Sequence, residues 1–200
     1  MEREIIFTGI GGQGIQLMAK ILAQAAATEG KHAMLFGVYG GAMRGSSSES
    51  TLVIGDAEIQ APPIVSQCWS VVAMHPSSLA TLALKLRADG QLFLNETLVP
   101  QNPRPDVASV AVPATRLAEH AGNIMGAGMI MLGAFVAATR LLATESLVAA
   151  MRASLPPHRQ HLADKNVELL NLGAEYLRNA GLSGLSALRT GSGQPQDSGQ

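Results

Sequence analysis

Short apolar runs separated by turns dominate the first half of the chain. An apolar run at residues 5–7 stops at a glycine turn, and apolar residues then recur at helical spacing over 15–25. A further helix is expected over 77–87. Other apolar runs bounded by turn residues predict strands over 32–40, 50–55, 70–74, 90–95 and 107–112. Strands alternating with helices at this pitch predict an α/β fold, a Rossmann-like three-layer sandwich with a mostly parallel sheet.

The second half of the chain is helical in pattern. Residues 113–180 show helical periodicity with few strand signals, and these additional C-terminal helices are expected to pack back on the sheet. Its most apolar stretch, 123–143, is close to the roughly 20 residues that span a bilayer. Polar Asn123 and Arg140 near its ends, three interior glycines and the lack of flanking aromatic residues favour a helix buried all round by protein.

Domain organisation follows from length and composition. The chain has 200 residues, of which 47% are hydrophobic, and one domain over 1–182 is expected. The segment 183–200 is rich in Gly, Ser and Gln and is predicted to be a disordered tail. A net charge of -1 creates no long-range field that would attract nucleic acid or an anionic membrane, because that attraction needs clustered Lys and Arg. Neither is therefore expected as a partner.

Cysteine content limits the chemistry that the chain can perform. The single cysteine, Cys68, cannot form an intrachain disulfide or supply the ligands of an iron–sulfur cluster. The N-terminus lacks the apolar core of a signal peptide, and we expect a cytoplasmic protein. No nucleophile–base pair is evident. His75 is interpreted as structural, and His158 with His161 is too weak a pair to predict a metal site. We therefore assign no catalytic residue and no metal ligand.

The first glycine motif lies between the first predicted strand and helix. It fits the dinucleotide-binding pattern G-x-G-x-x-G and comprises Gly9, Ile10, Gly11, Gly12, Gln13 and Gly14. An NAD site also needs an acidic residue at the end of the second strand, but that strand enters a further glycine cluster and the first acid after it is Glu49. An NAD site is thus disfavoured. Two alternatives remain: close packing of the helix on the sheet, and binding of a phosphate or diphosphate.

The second glycine cluster follows the second predicted strand. It contains Tyr39, Gly40, Arg44, Gly45 and Ser46, at the strand end where open α/β sheets bind ligands. Arg44 could hold a carboxylate or phosphate with its two-pronged guanidinium. It could equally cap backbone carbonyls or pair with a partner subunit. Both motifs are therefore candidates for ligand binding or for an interface.

These motifs belong to a wider resemblance. Together with four further segments of the chain, they resemble the gamma subunit, or gamma domain, of 2-oxoacid:ferredoxin (acceptor) oxidoreductases. These enzymes act on pyruvate, 2-oxoglutarate, ketoisovalerate or aryl 2-oxoacids. The likeness covers about residues 3–180. Its motifs are GIGGQGI, YGGAMRG, STLVIGDAEIQAPPIV, VVAMHPSSLATLALKLRADGQLFLNETLV, NIMGAGMIMLGAF and KNVELLNLGAEY.

The resemblance implies a function in oxidative decarboxylation. In that family a 2-oxoacid loses CO2 on thiamine diphosphate with Mg2+, electrons pass through [4Fe-4S] clusters to ferredoxin or to NAD through another subunit, and coenzyme A usually accepts the acyl group. The cofactors are held by alpha, beta and ferredoxin-like delta subunits. The gamma chain would hold none of them, would be non-catalytic, and would pack on the alpha/beta body and border the coenzyme A channel.

Two positions depart from the family pattern. Related chains usually have Arg-Gly-Gly where this chain has Arg44-Gly45-Ser46, and Asn-Met where it has Gly128-Met129. The first puts a glycine-specific backbone conformation in doubt, and the second implies a lost polar contact or a different substrate or partner. The alternative hypothesis is a free-standing nucleotide- or coenzyme A-binding module without a redox role. A separate NAD-linked dehydrogenase is disfavoured by the missing acidic residue.

Overall fold

The computed structural model describes residues 1–39, 46–60 and 65–181. The predicted tail at 183–200 lies outside these residues. In chain order the elements are β1 (Glu2–Ile10), α1 (Ile15–Thr28), β2 (His32–Tyr39), β3 (Ser47–Gly55), β4 (Cys68–Ala73), α2 (Leu79–Ala83), β5 (Leu86–Asn95), β6 (Ala108–Val112), α3 (Ala114–His120), α4 (Ala127–Thr139), α5 (Thr144–Ser154) and α6 (Ala163–Asn179). Two short 3-10 helices, Ile124–Gly126 and Pro157–Leu162, precede α4 and α6.

One six-stranded sheet forms the centre of the molecule. Its strand order is β2-β3-β1-β4-β5-β6. The strands β1, β4, β5 and β6 are parallel, whereas β3 is antiparallel to both β1 and β2. Residues 40–46, which join β2 to β3, are too few for the crossover that parallel neighbours need, so these two strands form an antiparallel pair. The expected α/β fold with a mostly parallel sheet is confirmed.

The two faces of the sheet are covered unequally. Helices α1, α3, α4, α5 and α6 contribute to one large apolar core, together with side chains of the central strands. On the opposite face, side chains of β1, β4 and β5 form a smaller apolar cluster, whose helical members all come from the five-residue α2. The third layer is therefore thin, and much of the packing energy comes from one side.

Helix α4 is the most apolar element of the molecule. Twelve of its thirteen residues are buried, all but Ala137. The sequence-based interpretation of this stretch as a helix surrounded by protein is thus confirmed, and its apolar character has no preferred side. Across the described ranges, no helix combines the length and apolar character that a bilayer crossing requires.

One predicted helix is much shorter than expected. The helix expected over 77–87 ends at Ala83, and β5 already begins at Leu86. Leu86 pairs with Cys68 of β4 across an irregular register, and the Cys68 amide donates to the Lys85 carbonyl at 2.7 Å. The Arg104 Nη1 donates to the carbonyls of Ala83 at 2.8 Å and Leu86 at 3.4 Å. These long-range bonds hold the segment extended in spite of its helical pattern.

Candidate functional site

The first glycine motif forms the turn between β1 and α1, as expected. Gly12 and Gly14 have φ angles of 101° and 75°, in the left-handed region that side chains rarely adopt. A Cβ at Gly9 would lie 2.5 Å from the Gln13 Oε1 and 2.7 Å from the Ile15 Cδ1. The glycines thus allow a sharp turn in which Gln13 folds back on the strand. Gly11 and Gly12 are exposed to solvent.

Gln13 joins the ends of two neighbouring strands. Its side-chain Oε1 accepts from the Ile10 amide at 2.9 Å, and its Nε2 donates to the Met74 carbonyl at 3.2 Å. Ile10 ends β1 and Met74 follows β4, its parallel neighbour. In open α/β sheets, ligands bind in the crevice between two neighbouring strands whose connections lead to opposite sides of the sheet. Here those two strands are β1 and β4. The Gln13 side chain bridges the mouth of that crevice.

A second amide reaches the same carbonyl. The Asn95 Nδ2 donates to the Met74 carbonyl at 3.2 Å and to the Thr115 Oγ1 at 2.8 Å, and the Thr115 amide donates to the Asn95 Oδ1 at 3.2 Å. Asn95 is completely buried at the end of β5. Together with the two bonds of Gln13, these bonds connect the ends of β1, β4 and β5 with the start of α3. Sequence reasoning missed Asn95 and Thr115, although an amide that ends an apolar strand is a detectable signal.

Ser46, the last residue of the second glycine cluster, contacts the first glycine motif. The Gly11 amide donates to the Ser46 carbonyl at 3.0 Å, and β3 then starts at Ser47, opposite Ile10. The Ser47 and Ser78 hydroxyls, 2.9 Å apart, link this segment to the start of α2. In the backbone register Tyr39 pairs with Ser48, at the same edge of the sheet.

The remaining residues of the second cluster, Gly40, Arg44 and Gly45, lie outside the described residues, as does the side chain of Tyr39. The role expected for Arg44, as a ligand for an anion or as an interface residue, therefore stays a prediction.

Two other titratable residues singled out in the sequence, His75 and Cys68, lie among the described residues. His75 Nδ1 accepts from the Ser77 amide at 3.2 Å and lies 2.6 Å from the Ser77 Oγ, which agrees with a structural histidine. Cys68 is buried, and burial, with a smaller effect from Glu4, raises the pKa of its thiol to about 12. Within the described ranges no three His, Cys, Asp or Glu side chains are grouped so that they could hold a metal ion.

Two exposed apolar side chains, Ile124 and Met125, lie shortly before the part of α4 that packs on the glycine turn. Gly128 near the start of α4 packs on the turn, since a Cβ there would lie 3.1 Å from the Gln13 carbonyl oxygen. One helical turn earlier, Ile124 and Met125 are 56% and 72% exposed. A Cβ at Gly126 would contact Leu169 of α6. Leu169 also lines a surface pocket of about 380 Å³ formed by Ala121, Lys165, Glu168, Leu169, Asn171, Leu172 and Glu175.

Comparisons with known proteins identify the family. The family described as pyruvate ferredoxin/flavodoxin oxidoreductase matches residues 4–176. The 2-oxoglutarate synthase subunit KorC of Methanothermobacter marburgensis is 32% identical over 185 residues, which cover 88% of this chain and 97% of the relative. The ketoisovalerate oxidoreductase subunit VorA of Methanothermobacter thermautotrophicus is 30% identical over 178 residues, which cover 88% of this chain and 37% of the relative.

Solved structures agree with that result. The gamma subunit of a keto/oxoacid ferredoxin oxidoreductase from Geobacter sulfurreducens matches with a TM-score of 0.77 and 28% identity, over 90% of this chain and 98% of that one. The 2-oxoglutarate:ferredoxin oxidoreductase of Magnetococcus marinus matches with a TM-score of 0.79 over 90% of this chain and 31% of that one, and at 15% identity it shows the fold alone. The chain therefore belongs to the pyruvate ferredoxin/flavodoxin oxidoreductase family, as a gamma subunit of the 2-oxoacid:ferredoxin oxidoreductase type.

Proposed function

We propose that this chain is a non-catalytic subunit that completes a multi-subunit 2-oxoacid:acceptor oxidoreductase dependent on thiamine diphosphate and iron–sulfur clusters. The complex would convert a 2-oxoacid, coenzyme A and an oxidised acceptor to an acyl-CoA, CO2 and an acceptor reduced by two electrons. Alpha, beta and ferredoxin-like subunits would hold the cofactors. This chain would pack on the alpha/beta body through the end of the sheet where β1 runs into the glycine turn.

The observation that supports this role is the exposed pair Ile124 and Met125. Large apolar side chains that stay in solvent next to a shaped depression are typical of protein interfaces. The pair directly precedes Gly126, where a Cβ would contact Leu169 of the pocket, and lies within one helical turn of Gly128, which packs on the glycine turn. An adaptable methionine is well suited to such a contact.

The donor set of this chain does not fit an iron–sulfur cluster. A [4Fe-4S] cluster needs four thiolates, whereas the sequence has one cysteine, Cys68. Its thiol is buried with a pKa of about 12, so it stays protonated at neutral pH. Electron transfer is accordingly assigned to the other subunits, and this chain contributes binding and orientation.

The glycine turn serves in this proposal as a braced backbone surface. Its Gly11 amide, its Gln13 amide and the Gln13 side chain all make bonds within the chain. Gly11 and Gly12 remain exposed next to the N-terminus of α1, whose free amides favour a nearby anion. In this proposal the glycine turn therefore borders the coenzyme A channel of the complex, and the phosphate-bearing part of the coenzyme lies on the turn.

Purification of the tagged chain from its native cell tests the assembly. We expect a thiamine-binding alpha/beta pair and an iron-rich subunit in the eluate, identified by mass spectrometry and metal analysis. In the reconstituted complex, Met125→Glu should weaken assembly, because a charge would be buried at the interface. Leu84→Glu, at a side chain that is 76% exposed directly after α2, is the matched control and should assemble normally.

Other results would contradict the proposal. Full turnover of the complex without this chain would show that the chain has no part in the enzyme. Recovery of the chain alone, with calorimetric binding of coenzyme A or a nucleotide, would instead support the free-standing binding module. Equal loss of assembly in Met125→Glu and Leu84→Glu would remove the apolar pair from the interface.

A further inference from the structure

Strand β2 is an open edge of the sheet. It pairs with β3 on one side, and in the described part of the chain no strand pairs with its other side. The pairing with β3 is regular over eight residues, from His32 opposite Gly55 to Tyr39 opposite Ser48. The outer side of β2 therefore presents an uninterrupted row of backbone donors and acceptors, which is the arrangement that accepts a further strand.

Within β2 itself, the sequence lacks the residues that normally prevent strand addition. Protective edges use charged side chains, proline, a bulge or a very short strand. The β2 sequence HAMLFGVY contains no Asp, Glu, Lys, Arg or Pro. The preceding Lys31 is held by Asp56, with a distance of 3.1 Å between the Lys31 Nζ and the Asp56 Oδ1. The opposite edge differs, since β6 has only five residues and its exposed positions are Ser109 and Ala111.

Two large apolar side chains mark the middle of β2. Leu35 is 39% exposed and Phe36 is 42% exposed. Leu35 pairs with Leu52 and Phe36 pairs with Thr51, so the two side chains lie on opposite faces of the sheet. A strand added here would cover apolar surface on both faces at once, in addition to forming backbone hydrogen bonds.

We propose that β2 pairs with β2 of a second copy of this chain, antiparallel and about a two-fold axis. Self-pairing fits the absence of charged side chains, because a strand with no charge brings no like charges into register with its copy. The two-fold axis would be normal to the sheet and would pass beside Leu35 or Phe36. The residue at the axis then lies directly opposite the same residue of the second copy, and both copies of each side chain lie on the same face of the sheet. Two six-stranded sheets then become one continuous sheet, and the symmetric contact closes as a dimer.

Light scattering of the full-length chain after size exclusion tests the contact. The wild-type chain should elute at twice the chain mass. Phe36→Lys should elute as a monomer, because the new charge would lie at the axis or one residue from it, on the same face as the like charge of the second copy. Ala111→Lys, on the exposed side of β6, is the matched control and should stay dimeric. Circular dichroism melting of each variant confirms that the chain is folded.

Cysteine cross-linking tests the register. Residues directly opposite in antiparallel strands have Cα atoms about 4.5–5.5 Å apart, within the range that a disulfide spans. Leu35→Cys or Phe36→Cys should therefore form an interchain disulfide on mild oxidation, depending on which residue lies at the axis. The buried native Cys68 is not expected to interfere.

Three results would overturn the inference. A monomeric wild-type chain would exclude the dimer. A dimer that persists in Phe36→Lys and cross-links through neither new cysteine would show that another surface is used. Cross-linking of these cysteines to a different subunit in the purified complex would show that β2 contacts that subunit and not a second copy of this chain. Because the proposed packing on alpha and beta is tested at Met125, either proposal can fail without the other.

Discussion

Replacement of Gly173 in α6 by alanine should force α4 and α6 apart. A Cβ at Gly173 would overlap the carbonyl group of Ile130, with the carbonyl carbon 2.8 Å away, and would lie 3.0 Å from the Ala134 amide nitrogen. Gly133 of α4 has the reciprocal contact, since its Cβ would overlap the carbonyl of Leu170. The helices thus touch backbone to backbone through two glycines, and no flexible side chain is present there to move aside.

The magnitude follows from two opposing effects. Overpacking of a core by extra carbon atoms costs about 1–3 kcal/mol, and we take about 3 kcal/mol because the obstacle is backbone. Alanine in a helix interior is favoured over glycine by about 1 kcal/mol, so the net loss of unfolding free energy should be about 2 kcal/mol. For a domain of this size that loss corresponds to a Tm lower by about 4–8 °C.

Equilibrium unfolding in urea measures the difference. Wild type and Gly173→Ala are compared as full-length chains at one protein concentration, because self-association would make stability depend on concentration. Asn171→Ala is the matched control, since it introduces the same residue at an exposed position of the same helix. Its stability should stay within about 0.5 kcal/mol of wild type.

The reasoning would be refuted by equal stability of the two variants. Such a result would mean that α4 and α6 separate at no cost, and that the close approach at Gly133 and Gly173 does not contribute to the packing. A loss of cooperativity in Gly173→Ala, seen as a smaller dependence on urea, would indicate that the helices detach as a unit instead.

Three further predictions concern individual side chains. Gln13→Ala removes the bonds to the Ile10 amide and the Met74 carbonyl, and should lower the unfolding free energy by about 1–2 kcal/mol; an unchanged urea midpoint would contradict the bracing role. The Cys68 thiol, with a pKa raised to about 12 by burial, should react with an aromatic disulfide reagent only after unfolding, and rapid reaction of the native chain would show that the site is open. Hydrogen bonding to Arg104 lowers the pKa of Asp106 from its ordinary 3.8. Asp106 is thus harder to protonate in the folded chain, and its stabilising effect should be present above about pH 4 and lost as the pH falls through the lowered pKa; an Asp106→Asn difference that grows on acidification would contradict this.

Elements whose pattern is local in the chain were predicted correctly, and elements that depend on distant partners were not. Helix α4 was predictable because the apolar residues of a buried helix are contiguous in the chain. The segment 84–87 was predicted wrongly, because its helical spacing is overridden by pairing with Cys68 and by the bonds from Arg104. Strand β3 likewise starts at Ser47 and not at 50, since its polar first residues are held by β1. Propensity is a weak guide wherever distant partners decide the backbone.

The family departure at Gly128 shows the same dependence on context. In the sequence, glycine in place of the usual asparagine indicates only that a polar contact could be lost. In the structure, Gly128 lets the start of α4 approach the Gln13 carbonyl and the Met18 side chain, where a Cβ would be only 3.1 and 3.2 Å from the nearest atoms. The residue is therefore tied to the position of α4 on the turn.

The sequence alone determined the type of turn after the first strand, the buried helix, the lack of ligands for an iron–sulfur cluster and, through its motifs, the family. These properties depend on residue identity and on neighbours within a few positions. Only the tertiary structure decided that Gly11 meets Ser46, that Gln13 and Asn95 share the Met74 carbonyl, and that no strand among the described residues pairs with the outer side of β2. The physical reason is that a hydrogen bond or an uncovered edge depends on which distant segments become neighbours, and such choices are made by the packing of the whole sheet and its helices.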